Sequence, residues 1–99
     1  MLKELQDRYG EEFNWFEPLN KESFEIELLK ELVPTHLLFG ISLKAVAKND
    51  RNDDVLFYDG VDFYLIHLTW NKGTDDYPHY KKISADILKF VLEQDYLYG

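Results

Sequence analysis

Cysteine is absent from this chain of 99 residues, which excludes disulfides, thiolate chemistry and zinc sites of the Cys type. Proline is scarce, at 3 residues, and glycine little commoner, at 5, so those that occur act as punctuation between elements. No run of about 18 apolar residues is found, and the opening Met1-Leu2-Lys3-Glu4-Leu5-Gln6-Asp7-Arg8 lacks the continuous apolar region of a secretory signal. The expectation is a soluble cytoplasmic protein without membrane contact. Basic residues are the minority charge: 11 Lys and Arg stand against 19 Asp and Glu, a formal charge of −8. A field of that sign repels phosphate backbones and anionic lipids and draws in cationic proteins. Direct nucleic-acid binding is therefore disfavoured, and a basic protein is the partner that the charge favours; solubility alone is the simpler use of the same charge.

What the chain does have is apolar and aromatic material, 45% and 16% of its residues, enough for a core and of a length suited to one domain over 1–99. The densest strand-forming stretch runs from Asp53 to Trp70 around Asp59-Gly60. A two-residue turn at that dipeptide predicts a hairpin with Tyr58 opposite Val61, Leu56 opposite Phe63, Asp54 opposite Leu65 and Asn52 opposite His67. Alternation then gives a core face of Val55, Phe57, Tyr64, Ile66, Leu68 and Trp70. The other face carries Leu56, Phe63 and Leu65, with Asp54, His67 and Thr69 at the open end. Asp54 and His67 are diagonal neighbours there. A carboxylate beside an imidazole is the arrangement of a general base or a metal ligand; a half-buried histidine bonded to one acceptor is the plainer reading of the same pattern.

The remaining periodicities supply helices. Leu2, Leu5, Tyr9 and Phe13 predict a first helix over residues 2 to 13, and Asn14–Asn20 a turn from which Trp15 and Phe16 fold back. Asn20 is a good N-cap for a second helix whose Phe24, Leu28 and Leu32 recur every fourth residue, widened by Leu29 and Val33 and stopped by Pro34. Glu25 and Glu31 fall to a solvated acidic face. Ile41, Leu43, Ala45 and Ala47 alternate as a first strand, residues 71–80 read as a polar loop, and Ile83, Ile87, Phe90 and Val91, with Leu88 and Leu92 alongside, predict a final helix over 83 to 94, with Tyr96, Leu97 and Tyr98 docked or frayed. The expected fold is α+β, a three-stranded antiparallel β-meander packed against helices in the order ααβββα.

Reactive chemistry is thinly supported. Asp53, Asp54, Asp75 and Asp76 with His67 and His79 include metal-ligand types, but their spacing matches no calcium loop or zinc pattern, so no metal and no cofactor is expected. Ser23, Ser42 and Ser84 lie outside any nucleophile elbow. Loops on a rigid scaffold concentrate recognition residues, which makes Asp75, Asp76, Tyr77, His79 and Tyr80 binding candidates beside the hairpin's open end.

The stretches His36-Leu37-Leu38-Phe39-Gly40, Ala45-Val46-Ala47, Asp53-Asp54-Val55-Leu56-Phe57, Asp59-Gly60 and His67-Leu68-Thr69-Trp70, with Pro78, resemble a family of small uncharacterised bacterial proteins. Some members of that family carry the label ADP-ribosyl-dinitrogen reductase hydrolase. The resemblance covers residues 35 to 80; Leu37 stands where the family pattern has Pro and Ile66 where it has Val. It implies that His36, Asp53, Asp54, His67, Thr69 and Trp70 act together. Two readings follow. The first is a small acidic binding protein, of the immunity or inhibitor type, that neutralises a basic bacterial protein, as monomer or homodimer. The second is a small hydrolase or ligand-binding domain using Asp54, His67 and Thr69.

Overall fold

The computed structural model describes residues 1–98. Three helices, α1 (Leu2–Tyr9), α2 (Lys21–Glu31) and α3 (Leu88–Tyr98), accompany an antiparallel sheet of five strands: β1 (Trp15–Phe16), β2 (Lys44–Asn49), β3 (Asp54–Tyr58), β4 (Phe63–His67) and β5 (Tyr80–Ile83). The strands lie in the order of the chain. The α+β class holds, but the three-stranded meander and the order ααβββα are replaced by five strands. Trp15-Phe16 pairs with Asn49 and Lys48 instead of forming a turn. Tyr80–Ile83 pairs with Ile66, Leu65, Tyr64 and Phe63 where a loop and the start of a helix were expected.

Both faces of the sheet are covered. Leu28 of α2 and Leu32 just past its end, with Phe24 alongside, pack on Ala45, Val55, Phe57, Tyr64, Ile66 and Leu68. Leu5 of α1, Leu88 and Leu92 of α3, Phe13 and Trp15 pack on the opposite side against Ala47, Leu56 and Ile83. The central strand β3 therefore buries both rows of side chains, Val55 and Phe57 on one side and Leu56 on the other, which is why it reads as continuously apolar. Ala45 and Ala47 would share a face in a regular strand. A register irregularity between them, with Ala45 opposite Phe57 and Ala47 opposite Leu56, sends one to each core.

The hairpin register differs from the two-residue turn. Tyr58 pairs with Phe63 and Asp54 with His67, because the Asp59 side chain accepts hydrogen bonds from the amides of Val61 and Asp62 at 2.8 and 2.7 Å and closes a longer loop. A shift of two residues keeps every side chain on its face. The assigned faces consequently hold for Val55, Phe57, Tyr64, Ile66 and Leu68, but Trp70 lies outside the strand and is 50% exposed.

Helix ends also differ. α1 stops at Tyr9, where Gly10 takes φ 74° and a 3-10 turn continues to Glu12. The Asn20 side chain caps α2 by accepting from the Ser23 amide at 3.3 Å. Leu29 is exposed instead of widening the apolar stripe. α3 begins at Leu88, so its buried stripe is Leu88 and Leu92, leaving Ile87 and Phe90 exposed. Tyr96 docks on Tyr9 and Phe13, with ring centroids 4.8 and 5.3 Å apart. No helix of the described residues is long and apolar enough to cross a membrane.

Candidate functional site

The open end of the β3–β4 hairpin is held by backbone pairing of three segments. The Leu68 amide donates to the Asp53 carbonyl at 3.1 Å, and the His67 amide to the His79 carbonyl at 3.1 Å. Residues 52–54, 67–70 and 74–79 thus form one rim. On it Asp53, Asp75, Asp76, His79, Trp70 and Tyr77 are exposed. Tyr77 stacks on His79 with centroids 4.2 Å apart.

Asp54 and His67 are direct partners, not diagonal ones. The His67 Nδ1 lies 2.8 Å from Asp54 Oδ1, on the side of the sheet that carries α3. Asp54, the carboxylate of the pair, also lines a groove of about 510 Å³ with Leu65, Lys81, Phe90, Gln94 and Tyr98. The contact orients the imidazole, and the Nε2 edge of a side chain 56% exposed stays open to solvent.

Thr69 is drawn away from that pair. Its hydroxyl donates to Glu31 Oε1 at 2.8 Å, its amide to Oε1 and Oε2 at 2.9 and 3.2 Å, and the Trp70 amide to Oε2 at 2.8 Å. Glu31 is not on a solvated face. It is 0% exposed, and all its partners are donors, which matches the acceptor-only carboxylate form. Helical spacing carries the signal that finds it: Glu31 lies seven residues after Phe24 and three after Leu28, on the buried stripe of α2. The Gly73 amide donates to the Glu31 carbonyl at 3.0 Å, tying the following loop to the same helix end.

This clamp fixes an unusual corner. Trp70 is the single non-glycine residue at positive φ among the described residues, at 60°, a region that L-residues with a bulky side chain rarely occupy. Its indole packs edge-on against Phe24, with centroids 6.4 Å apart, and keeps half its surface in solvent. An open groove beside it is lined by Glu27, Lys30, Trp70, Asn71 and Lys72. Glu27 lies one turn before Glu31. A hydrogen bond to Glu31, burial and the charge of Glu31 together push the Glu27 carboxyl up to about 7.

His36 and Tyr80 belong to the core side of the cluster. The His36 Nδ1 accepts from the Leu38 amide at 3.0 Å and its Nε2 lies 2.9 Å from the Pro78 carbonyl, so the ring is the Nε2–H tautomer with both nitrogens occupied. Its ring packs on Tyr80 at 5.8 Å, and Tyr80 on Tyr64 at 6.3 Å. His36 and His67 therefore bond to different partners. Asp75 accepts from the Thr35 hydroxyl at 3.3 Å. Among the described residues no group of three or more His, Asp or Glu side chains is placed to hold a metal ion. No family model, curated protein or solved structure matches the chain.

Proposed function

We propose that this chain is a small acidic protein-binding module that captures a basic protein, in the manner of an immunity or inhibitor protein, through the rim at the open end of its hairpin. The observation that carries the reading is the Trp70 corner. A buried carboxylate on α2 is committed to holding a bulky residue in a left-handed conformation, and the result is an indole half in solvent, with Glu27, Lys30, Asn71 and Lys72 as its groove neighbours, on the rim whose other segments expose the carboxylates of Asp53, Asp75 and Asp76. Strain of that kind is retained where the surroundings over-determine it, and recognition is one recurrent reason. A rigid aromatic anchor within a charged rim is the anatomy of a binding hot spot. The net charge of −8 adds steering of a cationic partner.

The test is retention of protein from a lysate of the source organism on three immobilised baits: wild type, Trp70→Ser, and Asp53→Asn with Asp76→Asn. The reading requires one basic protein held by the wild type, released as salt rises, and lost or weakened on both variants. A retained set that is the same on all three baits, or one without a basic protein, refutes it.

The Asp54–His67 contact at 2.8 Å supports a second reading, a hydrolase or small-ligand domain working in the adjoining groove. Thr69 is outside it, since its hydroxyl is spent on Glu31 and Asn71. That reading requires His67→Ala to abolish turnover or ligand binding with the thermal midpoint unchanged; a variant that loses stability alone returns His67 to a structural role.

A further inference from the structure

The Glu31 clamp has a proton-bearing neighbour. Glu27 and Glu31 stand one helical turn apart on α2, and Glu31 has its donors on one side only, all from Thr69 and Trp70. Two carboxylates at this spacing on a helix repel when both are ionised and are joined by a hydrogen bond when one holds a proton. We infer that the Glu27–Glu31 pair is a pH-sensitive latch, in which one shared proton sets how the Thr69–Trp70 corner presents its indole.

The geometry couples the two ends directly. Glu27 and Trp70 line the same groove, so the state of the carboxyl is sensed by the ring. The Glu31 carboxylate one turn from Glu27 is the group that receives the Trp70 and Thr69 amides. The charged groups facing the pair are Lys30 on α2, which favours ionised Glu27, and Lys72 on the loop that lines the groove. No histidine lies in that lining: His36 is bonded to the Pro78 carbonyl, His67 to Asp54, and His79 is stacked on Tyr77. With the proton in place the corner is held. On its loss Glu27 turns from Glu31 toward solvent and the lysines, and the indole changes surroundings.

As regulation of partner binding, the latch rests on the reading of the rim as a binding surface; as a property of the free protein it does not, and the experiment uses the free protein. The indole N–H resonances of the two tryptophans are followed from pH 5.5 to 8.5. Trp70→Phe assigns them, and Trp15, buried on the α1 side, is the internal reference. The expected result is a Trp70 shift with a midpoint near 7 and a flat Trp15. Glu27→Gln, whose amide donates to Glu31 at every pH, is expected to hold Trp70 at its low-pH position throughout. Lys30→Gln is expected to raise the midpoint. A Trp70 resonance that does not move, or one that titrates unchanged in Glu27→Gln, overturns the inference. If the resonance titrates but no basic partner is retained by the baits above, the function falls and the latch stands.

Discussion

Replacing Glu31 by Gln is the sharpest perturbation of this structure, because it changes one atom in a fully enclosed site. The carboxylate receives the Thr69 hydroxyl at 2.8 Å, the Thr69 amide at 2.9 and 3.2 Å, and the Trp70 amide at 2.8 Å. Gln offers one acceptor and one NH₂ donor. With the NH₂ at the Oε2 position the Trp70 amide faces another donor; with it at Oε1 the Thr69 hydroxyl turns to accept from it and donates to the Asn71 carbonyl, and the Thr69 amide keeps only its 3.2 Å bond to Oε2. The second orientation is the one adopted, and its cost is the weakening of the bonds from charge-assisted to neutral strength and the loss of the shorter Thr69 amide bond, about 1–2 kcal/mol. For a domain of this length that is roughly 4–16 °C in Tm. Urea unfolding followed by circular dichroism measures it, with Thr69→Val and the double variant completing a cycle. A coupling of about 1 kcal/mol or more is expected between the two positions. A Glu31→Gln variant within about 0.5 kcal/mol of wild type refutes the clamp.

Three further outcomes follow from the same geometry. Gly73→Ala places a Cβ 2.0 Å from the Glu31 carbonyl oxygen and 2.5 Å from that of Tyr77; both are backbone atoms, so a loss of about 3 kcal/mol or more is expected in the same urea assay. His36→Ala leaves the Leu38 amide and the Pro78 carbonyl without their ring partners, and costs about 2–4 kcal/mol in unfolding free energy. Glu27 is raised to about 7 from its usual 4.5, so the folded chain holds a proton that the unfolded chain releases between those values. Its stabilisation is complete below about pH 4.5 and declines as pH rises through 7; for a side chain only partly buried the total is about 1–2 kcal/mol. Urea midpoints of wild type and Glu27→Gln across pH 4–9 show it as a slope present in the former and absent in the latter.

The faces of the hairpin are legible in the sequence because alternation has a period of two, so an error of two residues at the turn leaves every side chain on its side. The turn itself misleads. Asp59-Gly60 fits a tight turn, but the Asp59 carboxylate also suits capping the amides of Val61 and Asp62, and with the Tyr64 hydroxyl bonded to it at 2.9 Å the longer loop wins. β1 is two residues long, and Lys81 and Lys82 interrupt β5, an edge strand whose lysines guard it from further pairing. Neither leaves a periodic signal. Glu31 is hidden by its chemistry: a carboxylate on a helix reads as solvent-facing, and only its place on the Phe24–Leu28 stripe says otherwise. Trp70 is hidden by the opposite prejudice, since strand parity assigns a large apolar residue to the core. Asp54 and His67 are found in the right place and with the wrong register, while Thr69, expected beside them, serves the helix on the other face.

On the proposed function a partner contacts the Trp70 end of the sheet. A photo-crosslinking residue placed at position 70, and separately at position 61, tests it most directly. Val61 is exposed at the hairpin tip, at the far end of the same two strands. Illumination in lysate at low salt is expected to give an adduct with one basic protein from position 70, fading as salt rises, and none from position 61. Adducts of equal yield from both positions, or from position 61 alone, contradict the account.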